Sequence, residues 1–185
     1  MSVSGPNSSA GTAPVLLSDA PPEVLNGNVI ATGQTGFDER QGVLLGSNLR
    51  IDGGWIAAGT VVDSHMIFLN APDRNRIIHN DVMWNFSGDI LGVMSDRRGR
   101  REAASNSILG AIGTRYEAPF RARGMERNDS YSISGNVLTV NMRVTQPGDW
   151  IRVVTVSVPD AGSTFLFLGV GLLSLAAMRR RVNRR

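Results

Sequence analysis

Two histidines and scattered acidic residues are the side chains that could do acid–base or metal chemistry. His65 and His79 are the only histidines of the chain. A metal pair or a Ser-His-Asp triad would need partners that only the fold could bring together. No close pair of carboxylates has convincing glycosidase spacing, and no P-loop, GxGxxG fingerprint or GxSxG elbow occurs. The sequence therefore predicts ordinary strand and loop histidines, no metal site and no enzyme activity.

Aspartates at predicted strand ends suggest a second chemistry. Loop carboxylates can bind Ca²⁺, a hard cation that needs several oxygen ligands. No EF-hand spacing is present, and aspartates at such positions more often cap turns. We therefore expect no cofactor, with Ca²⁺ as the alternative. The positions concerned are Asp63, Asp73, Asp81, Asp89 and Asp129.

A tryptophan and a run of arginines could bind sugars. Trp55 follows two glycines, which makes it the most loop-like of the three tryptophans and the candidate for stacking on a sugar ring. Trp84 is in phase with apolar residues of a predicted strand, so we expect it in the core. The arginines of residues 97–101 could meet an anionic polysaccharide or a phosphate-bearing partner, although such a run is more often a solvated loop.

Composition excludes several classes of protein. The chain has 185 residues, of which 42% are hydrophobic and 19% charged, as expected for one domain with a real core. It has no cysteine, which rules out a disulfide scaffold and a cysteine-based zinc site. Five of the 19 basic residues, all arginine, lie in the last seven positions. The other 14 face 16 acidic residues, a net charge of −2 for residues 1–163, which does not fit a basic nucleic-acid binder.

The C-terminal segment has the clearest pattern. Residues 164–178 (TFLFLGVGLLSLAAM) carry no charge and would be apolar on every side of a helix. Such a helix would span about 22 Å, less than the ~30 Å of a hydrocarbon core. Arg179, Arg180 and Arg181 follow as a cytoplasmic stop, and their stems can snorkel to lengthen the span. The pattern predicts one C-terminal transmembrane helix and a cytoplasmic Arg tail at 179–185, with a buried core helix as the alternative.

A polar hinge precedes that apolar run. Residues 158–163 are Val-Pro-Asp-Ala-Gly-Ser. Pro159 fixes φ and lacks an amide hydrogen, so it ends a strand, and the residues after it favour an exposed, extended segment. This segment is either a linker between a domain and its anchor or a protease recognition site held just outside the bilayer.

Hinge, apolar run and arginine cluster together resemble the PEP-CTERM-type sorting signals of bacteria. The spelling Val158-Pro159-Asp160-Ala161-Gly162 looks like the VPDSG subclass. Asp160 stands where the commonest pattern has Glu, and Ala161 where the subclass often has Ser. The resemblance covers roughly residues 158–181. It implies that an exosortase, an integral-membrane enzyme, recognises the tail, which is removed as the protein passes to the cell surface or extracellular matrix.

The body has the pattern of an all-β domain. From Asn28 onward, short apolar runs alternate with turn residues about every ten positions, which is typical of an antiparallel β-sandwich or jelly roll over 28–157. Ser134-Gly135-Asn136 predicts a hairpin turn. One short helix is expected at 102–111, ending near Gly110 as a C′ glycine. The predicted strands lie within residues 28–32, 41–51, 60–70, 80–87, 90–95, 131–134, 137–144 and 150–158.

The body also resembles a recurrent ectodomain found with these tails. That family has no established activity, so the resemblance implies a secreted β-domain and nothing catalytic. The segments that carry it cover most of residues 38–155: ERQGVLLGSNLRID, GTVVDSHMIFLN, FSGDILGV, ILGAIGTRY, SISGNVLTVNM and PGDWIRVVT.

The first 27 residues are rich in Ser, Gly, Pro, Asn and Ala, and we expect a disordered segment or linker there. Residues 1–13 contain neither a basic n-region nor an apolar h-region. Because a C-terminal export signal without an N-terminal one is unusual, we expect the gene model to be incomplete or to start too late.

These patterns predict an exported bacterial protein with a non-catalytic ectodomain. It would be held in the membrane by its C-terminal helix and reach the cell surface or matrix after processing. Three alternatives stay open: a carbohydrate-binding module with the same tail, an enzyme such as a polysaccharide lyase or hydrolase, and a tail-anchored protein facing the cytosol. The expected partners are the membrane and exosortase, with an extracellular polysaccharide as a further candidate and no nucleic acid.

Overall fold

The computed structural model describes residues 1–4, 13–26, 33–71 and 75–158. These residues form fourteen β-strands and one α-helix, so a mostly β body with one short helix is confirmed. The strand predicted at 28–32 lies outside the described residues. So do the hinge from Pro159 onward, the predicted membrane helix and the Arg tail.

Four strands form a first sheet, sheet A. Its central pair is β9 (Ile77–Asn85) and β13 (Val137–Val144), which run antiparallel. β12 (Ser130–Ser134) follows β13 at one side, and β1 (Ser2–Ser4) lies beyond β9 at the other. Gly135 joins β12 to β13 with a φ of 59°, a value that favours glycine, and the predicted hairpin is confirmed.

The second sheet, sheet B, is built on two long neighbours. β8 (Val61–Leu69) and β14 (Asp149–Val156) pair antiparallel over the whole of β14. β14 therefore has a neighbour on each side and is an interior strand. The flanking strands are β10 (Ile90–Met94) beside β14, and β4 (Thr35–Asp38), β5 (Val43–Leu44) and β2 (Val15–Leu16), of which β2 pairs with β4 in parallel.

One hydrophobic core lies between sheets A and B. Alternate residues of β9 and β13 point into it and meet side chains of β8, β10 and β14. Trp84 is fully buried there, which confirms the core position predicted for it. The predicted alternation in β13 is also confirmed: its core residues are Leu138, Val140, Met142 and Val144.

Sheet B is covered on its other face as well, which the sequence did not predict. α1 (Arg100–Leu109) and the hairpin of β6 (Leu49–Ile51) and β7 (Gly54–Ile56) pack there. They meet Val62 and Val154 of the sheet. With both faces covered, β8 and β14 are buried along nearly their full length instead of alternately.

The described N-terminal residues, 1–4 and 13–26, take part in the fold, in contrast to the linker expected over 1–27. β3 (Glu23–Val24) pairs in parallel with β11 (Arg115–Tyr116) over the rest of this outer face. Val24 is fully buried and packs in the same cluster as Trp150. Strands of two or three residues are too short to show a period, and partners distant in sequence order them.

Both ends of α1 differ from the predicted helix at 102–111. The Asp96 carboxylate accepts hydrogen bonds from the backbone N–H groups of Arg100 and Arg101 at 3.0 and 2.9 Å, so it caps an earlier start. Gly110 follows the last helical residue, Leu109, in an extended conformation (φ −61°, ψ 146°), so the helix ends next to the predicted glycine. α1 has ten residues, and the described part of the chain holds no helix long and apolar enough for a membrane span.

Candidate functional site

An open groove on the outer face of sheet B contains the sugar candidate Trp55. It lies between the β6–β7 hairpin and α1 and has a volume of about 380 Å³. The tryptophan is 63% exposed. Arg50, Arg100 and Arg101 line the same groove. The fold thus brings Trp55 together with part of the 97–101 arginine run, although the two lie more than 40 residues apart in the sequence.

The hairpin register positions Trp55. Leu49 pairs with Ile56, and both are buried against the sheet. The next pair is Arg50 with Trp55, and the guanidinium carbon lies 5.7 Å from the ring centroid. Successive strand residues point to opposite faces, so this second pair points away from the core. No sequence pattern indicates a role for Arg50, because its position opposite Trp55 depends on the register.

Asp52, at the hairpin turn, ties the two walls of the groove together. Its carboxylate accepts hydrogen bonds from the backbone N–H and the hydroxyl of Ser95 at 3.0 and 2.6 Å. It also pairs with Arg101 of α1 and accepts a hydrogen bond from the Tyr131 hydroxyl at 3.2 Å. Burial, with the charge of Asp52 and this hydrogen bond, raises the pKa of Tyr131 to about 12. No pattern in the sequence pointed to Asp52.

The arginines of the 97–101 run have different surroundings. Arg98 and Arg100 are exposed and form no ion pair within the described ranges. Of these two, only Arg100 lines the groove. The other two arginines are paired: Arg97 with Glu126 at 2.6 Å, and Arg101 with Asp52.

A second charged cluster, the buried ion network, lies beneath α1. Arg152 of β14 binds both carboxylate oxygens of Glu39, at 2.6 and 2.7 Å. The same guanidinium donates to the Ser105 hydroxyl and the Glu102 carbonyl, both at 2.6 Å. The Glu102 carboxylate pairs with Arg123. The four charged side chains are at most 1% exposed.

This network fixes α1, and with it one wall of the groove, to sheet B. Burial opposes the charge of Arg152, but the adjacent Glu39 outweighs it and raises the pKa of the arginine. Burial raises the pKa of Glu102, which Arg152 and Arg123 partly oppose. Gly99 has a φ of 63°, and a Cβ there would lie 2.5 Å from Cδ of Arg123, so only glycine fits. In the sequence, this network was indicated by Arg152, a single arginine within an otherwise apolar run of a predicted strand.

His65 lies between a carboxylate and a hydroxyl, as the histidine of a catalytic triad does. Here, however, the hydroxyl is buried and the carboxylate is exposed. Its Nδ1 lies 2.6 Å from Oδ1 of Asp38, and its Nε2 lies 3.2 Å from Oγ1 of Thr155. The hydrogen bond with His65 lowers the pKa of Asp38. A catalytic hydroxyl must be accessible, yet Thr155 is 1% exposed while the Asp38 side chain is 46% exposed. His79 is buried in sheet A, which lowers its pKa.

Two of the aspartates considered for Ca²⁺ bind backbone N–H groups of nearby loops and strands. Asp63 accepts a hydrogen bond from the Gly42 N–H at 2.7 Å. Asp129 accepts them from the N–H groups of Glu126 and Arg143, at 2.6 and 2.8 Å. Within the described ranges no group of three or more His, Cys, Asp or Glu could hold a metal. Of the others, Asp81 lies in β9, Asp89 precedes β10, and Asp73 falls outside those ranges.

Asp149, the first residue of β14, is a buried carboxyl in an acidic corner. It is 4% exposed and lines a cavity of about 250 Å³ with Glu126 and Asp129. Burial, reinforced by the charges of those two neighbours, raises the pKa of Asp149 to about 9. The folded protein therefore keeps this proton at a pH where the unfolded chain has released it.

We expect Asp149→Asn to stabilise the protein at alkaline pH. The unfolded carboxyl has a pKa of about 3.9. The carboxyl of Asp149 contributes fully to folding stability at a pH below its unfolded pKa. This contribution is lost as the pH rises through the folded pKa of about 9. Urea unfolding at pH 8 should show a gain of about 1–3 kcal/mol for the variant, and little difference at pH 4. Asp19→Asn, at an exposed position, should change neither value. A variant that is less stable at pH 8 would contradict the assignment.

β14 leads the chain directly to the predicted sorting motif. The Ser157 N–H donates to the Val61 carbonyl at 3.2 Å. Val158 is 47% exposed and lies beside Gly88, where a Cβ would meet its Cγ2 at 3.2 Å. Val158 is thus the one motif residue in the described part. Pro159, Asp160, Ala161, Gly162 and the membrane-stop residues Arg179, Arg180 and Arg181 lie outside it.

Comparison with protein families identifies the C-terminal segment. Residues 157–182 match the family model described as the VPDSG-CTERM motif. The segment is a PEP-CTERM-like exosortase sorting signal, as its resemblance indicated. No curated protein and no solved structure matches the chain. The signal implies membrane association and exosortase processing, and it leaves the role of the body open.

Proposed function

We propose that this chain is an exported bacterial surface or matrix protein whose tail is processed by exosortase. The body is a non-catalytic ectodomain of the β-sandwich type. Before exosortase cleaves the chain, residues 164–178 cross the membrane as a helix. The observation that carries the proposal is the match of residues 157–182 to the VPDSG-CTERM motif. The core shared by sheets A and B supports the sandwich assignment.

The point where the chain leaves the body suits this processing. The last backbone hydrogen bond described towards the C-terminus joins Ser157 to Val61, so the motif begins where sheet B ends. Residues 159–163 separate Val158 from the apolar run and reach at most about 18 Å when extended. Before cleavage the body therefore stays at the membrane surface, and the motif lies between the two, where a membrane-embedded protease can reach it.

The charges set the orientation. Five arginines follow the apolar run within seven residues, while the preceding hinge carries only Asp160. A basic flank is retained on the cytoplasmic side of the membrane, which places the body outside the cytoplasm.

Cysteine labelling tests this topology without interference, because the chain has no cysteine. We expect a membrane-impermeant thiol reagent to label Ser132→Cys, on the exposed surface of β12, in intact spheroplasts lacking exosortase. Asn183→Cys, in the Arg tail, should be labelled only after detergent opens the membrane. Labelling of Asn183→Cys alone in intact spheroplasts would place the body in the cytosol and overturn the proposal.

The five tail arginines should be needed for this orientation. Replacing all of them with glutamine is expected to make Asn183→Cys accessible in part of the population, because no charge then opposes translocation of the tail. Replacing the four arginines of residues 97–101 instead should leave the labelling unchanged, since that segment belongs to the folded body. Unchanged labelling of the tail variant would show that the arginines do not set the topology.

A further inference from the structure

We propose that the groove between the β6–β7 hairpin and α1 binds an acidic polysaccharide. Trp55 stacks on the face of a sugar ring, while Arg50 and Arg100 bind the carboxylates of the sugar chain. This inference concerns the body and does not depend on the sorting signal, so it holds for the precursor and for the processed protein.

The exposure and rigid setting of Trp55 indicate a stacking surface. Trp84 and Trp150 are at most 1% exposed, whereas Trp55 is 63% exposed. Leu49 and Ile56, the buried pair of the hairpin, hold the backbone of Trp55 in place, so little conformational entropy is lost when a ligand binds. An indole ring offers a flat apolar face to the C–H face of a pyranose and a polar edge to its hydroxyl groups. Ile108 of α1, 37% exposed, extends the apolar surface of the groove.

The charged residues of the groove favour an anionic ligand. Among the described residues, three arginines line the groove and no carboxylate does. Asp52 neutralises Arg101, whereas Arg50 and Arg100 form no ion pair within the described residues. A guanidinium binds a carboxylate through two parallel N–H···O bonds, which selects a uronate over a neutral sugar. The site is thus locally positive, although residues 1–163 carry 14 arginines against 16 acidic residues.

The aromatic and charged residues of the groove favour an acidic sugar chain over a nucleic acid. Binding to single-stranded nucleic acid uses a continuous basic path and several stacking aromatics. Among the described residues, the groove offers one aromatic ring and two guanidiniums without an ion pair, too few to follow a nucleic-acid strand. A uronate polymer carries one carboxylate per sugar. The groove, with about 380 Å³, has the size of a small-ligand site and fits a short stretch of such a chain.

Titration of the full chain in a non-ionic detergent tests the proposal. We expect oligogalacturonate to bind saturably, with an affinity that falls as salt is added, and a neutral glucan of similar length to bind at least about tenfold more weakly. Oligogalacturonate should also protect tryptophan fluorescence from acrylamide, because Trp55 is the one tryptophan exposed to the quencher. Failure to bind oligogalacturonate, or tighter binding of single-stranded DNA, would overturn the proposal.

Two groove variants and a matched control locate the binding. Trp55→Ala should weaken binding about tenfold or more, and Arg100→Gln about three- to tenfold. Both residues are exposed, so circular dichroism melts should match the wild type. Arg98→Gln removes the same charge two positions away, outside the groove, and should change affinity less than about twofold. Equal losses in Arg98→Gln and Arg100→Gln would reveal non-specific charge attraction and refute the site.

Discussion

The double substitution Pro159→Ala with Asp160→Ala is expected to leave nearly all of the chain uncleaved and membrane-bound in a bacterium that contains the exosortase. Proline restricts the backbone at the exit from sheet B, and the aspartate supplies the one charge of the hinge. Neither residue belongs to the apolar run, so membrane insertion persists while recognition fails. Immunoblots of membrane and surface fractions, with antibody against the body, would measure the ratio of precursor to product.

A matched control comes from the serines that flank the motif. Ser157→Ala with Ser163→Ala also changes two polar residues, one on each side of Val158–Gly162, and should be processed as the wild type is. If the Pro159/Asp160 variant were processed normally, the motif would have no role in recognition, and only a membrane anchor would remain.

The second large effect is expected in the buried ion network. Arg152→Leu removes the cation that binds both oxygens of Glu39 and leaves that carboxylate uncompensated in the interior. Breaking a buried pair by removing one partner typically costs about 3–5 kcal/mol. This is a large share of the ~5–15 kcal/mol of a normal domain. Urea unfolding should therefore show a strongly lowered midpoint or a chain that does not fold.

An exposed ion pair and a charge-balanced variant serve as controls. Arg115 pairs with Glu23 at 2.8 Å but is 70% exposed, so Arg115→Leu should cost at most about 1 kcal/mol. Adding Glu39→Leu to Arg152→Leu should recover part of the lost stability, since the unpaired charge is then removed. A cost below about 1 kcal/mol for Arg152→Leu would show that the network does not hold α1 to the sheet.

Sequence patterns predicted the longer strands of both sheets, including β8 and β14, which are buried on both faces. β13 alternates apolar and polar residues, and its hairpin turn is local, so both could be recognised without the fold. The outer layer on sheet B gave no such signal. The buried residues of α1 are Glu102, Ser105 and Leu109, so two of the three are polar and no apolar stripe marks the docking face. Their burial depends on Arg152 and Arg123, which are distant in sequence.

The candidate groove was partly predictable for the same reason. Two preceding glycines indicated that Trp55 lies near a turn, and the density of arginines drew attention to residues 97–101. Arg50 and Asp52 were missed because their roles depend on the hairpin register and on the docking of α1. The sorting signal, in contrast, consists of consecutive residues whose order alone carries the information, and the family comparison confirmed it.

Intact-mass analysis of the body recovered from the cell surface or medium decides whether exosortase removes the C-terminal segment. In a strain with exosortase, the recovered chain should end within residues 158–163 and lack the apolar run and the arginine tail. In an otherwise identical strain without exosortase, the chain should stay in the membrane and keep the apolar run and the arginine tail. A surface-recovered chain that still carries the arginine tail, or the same shortened chain in both strains, would show that exosortase does not process the protein.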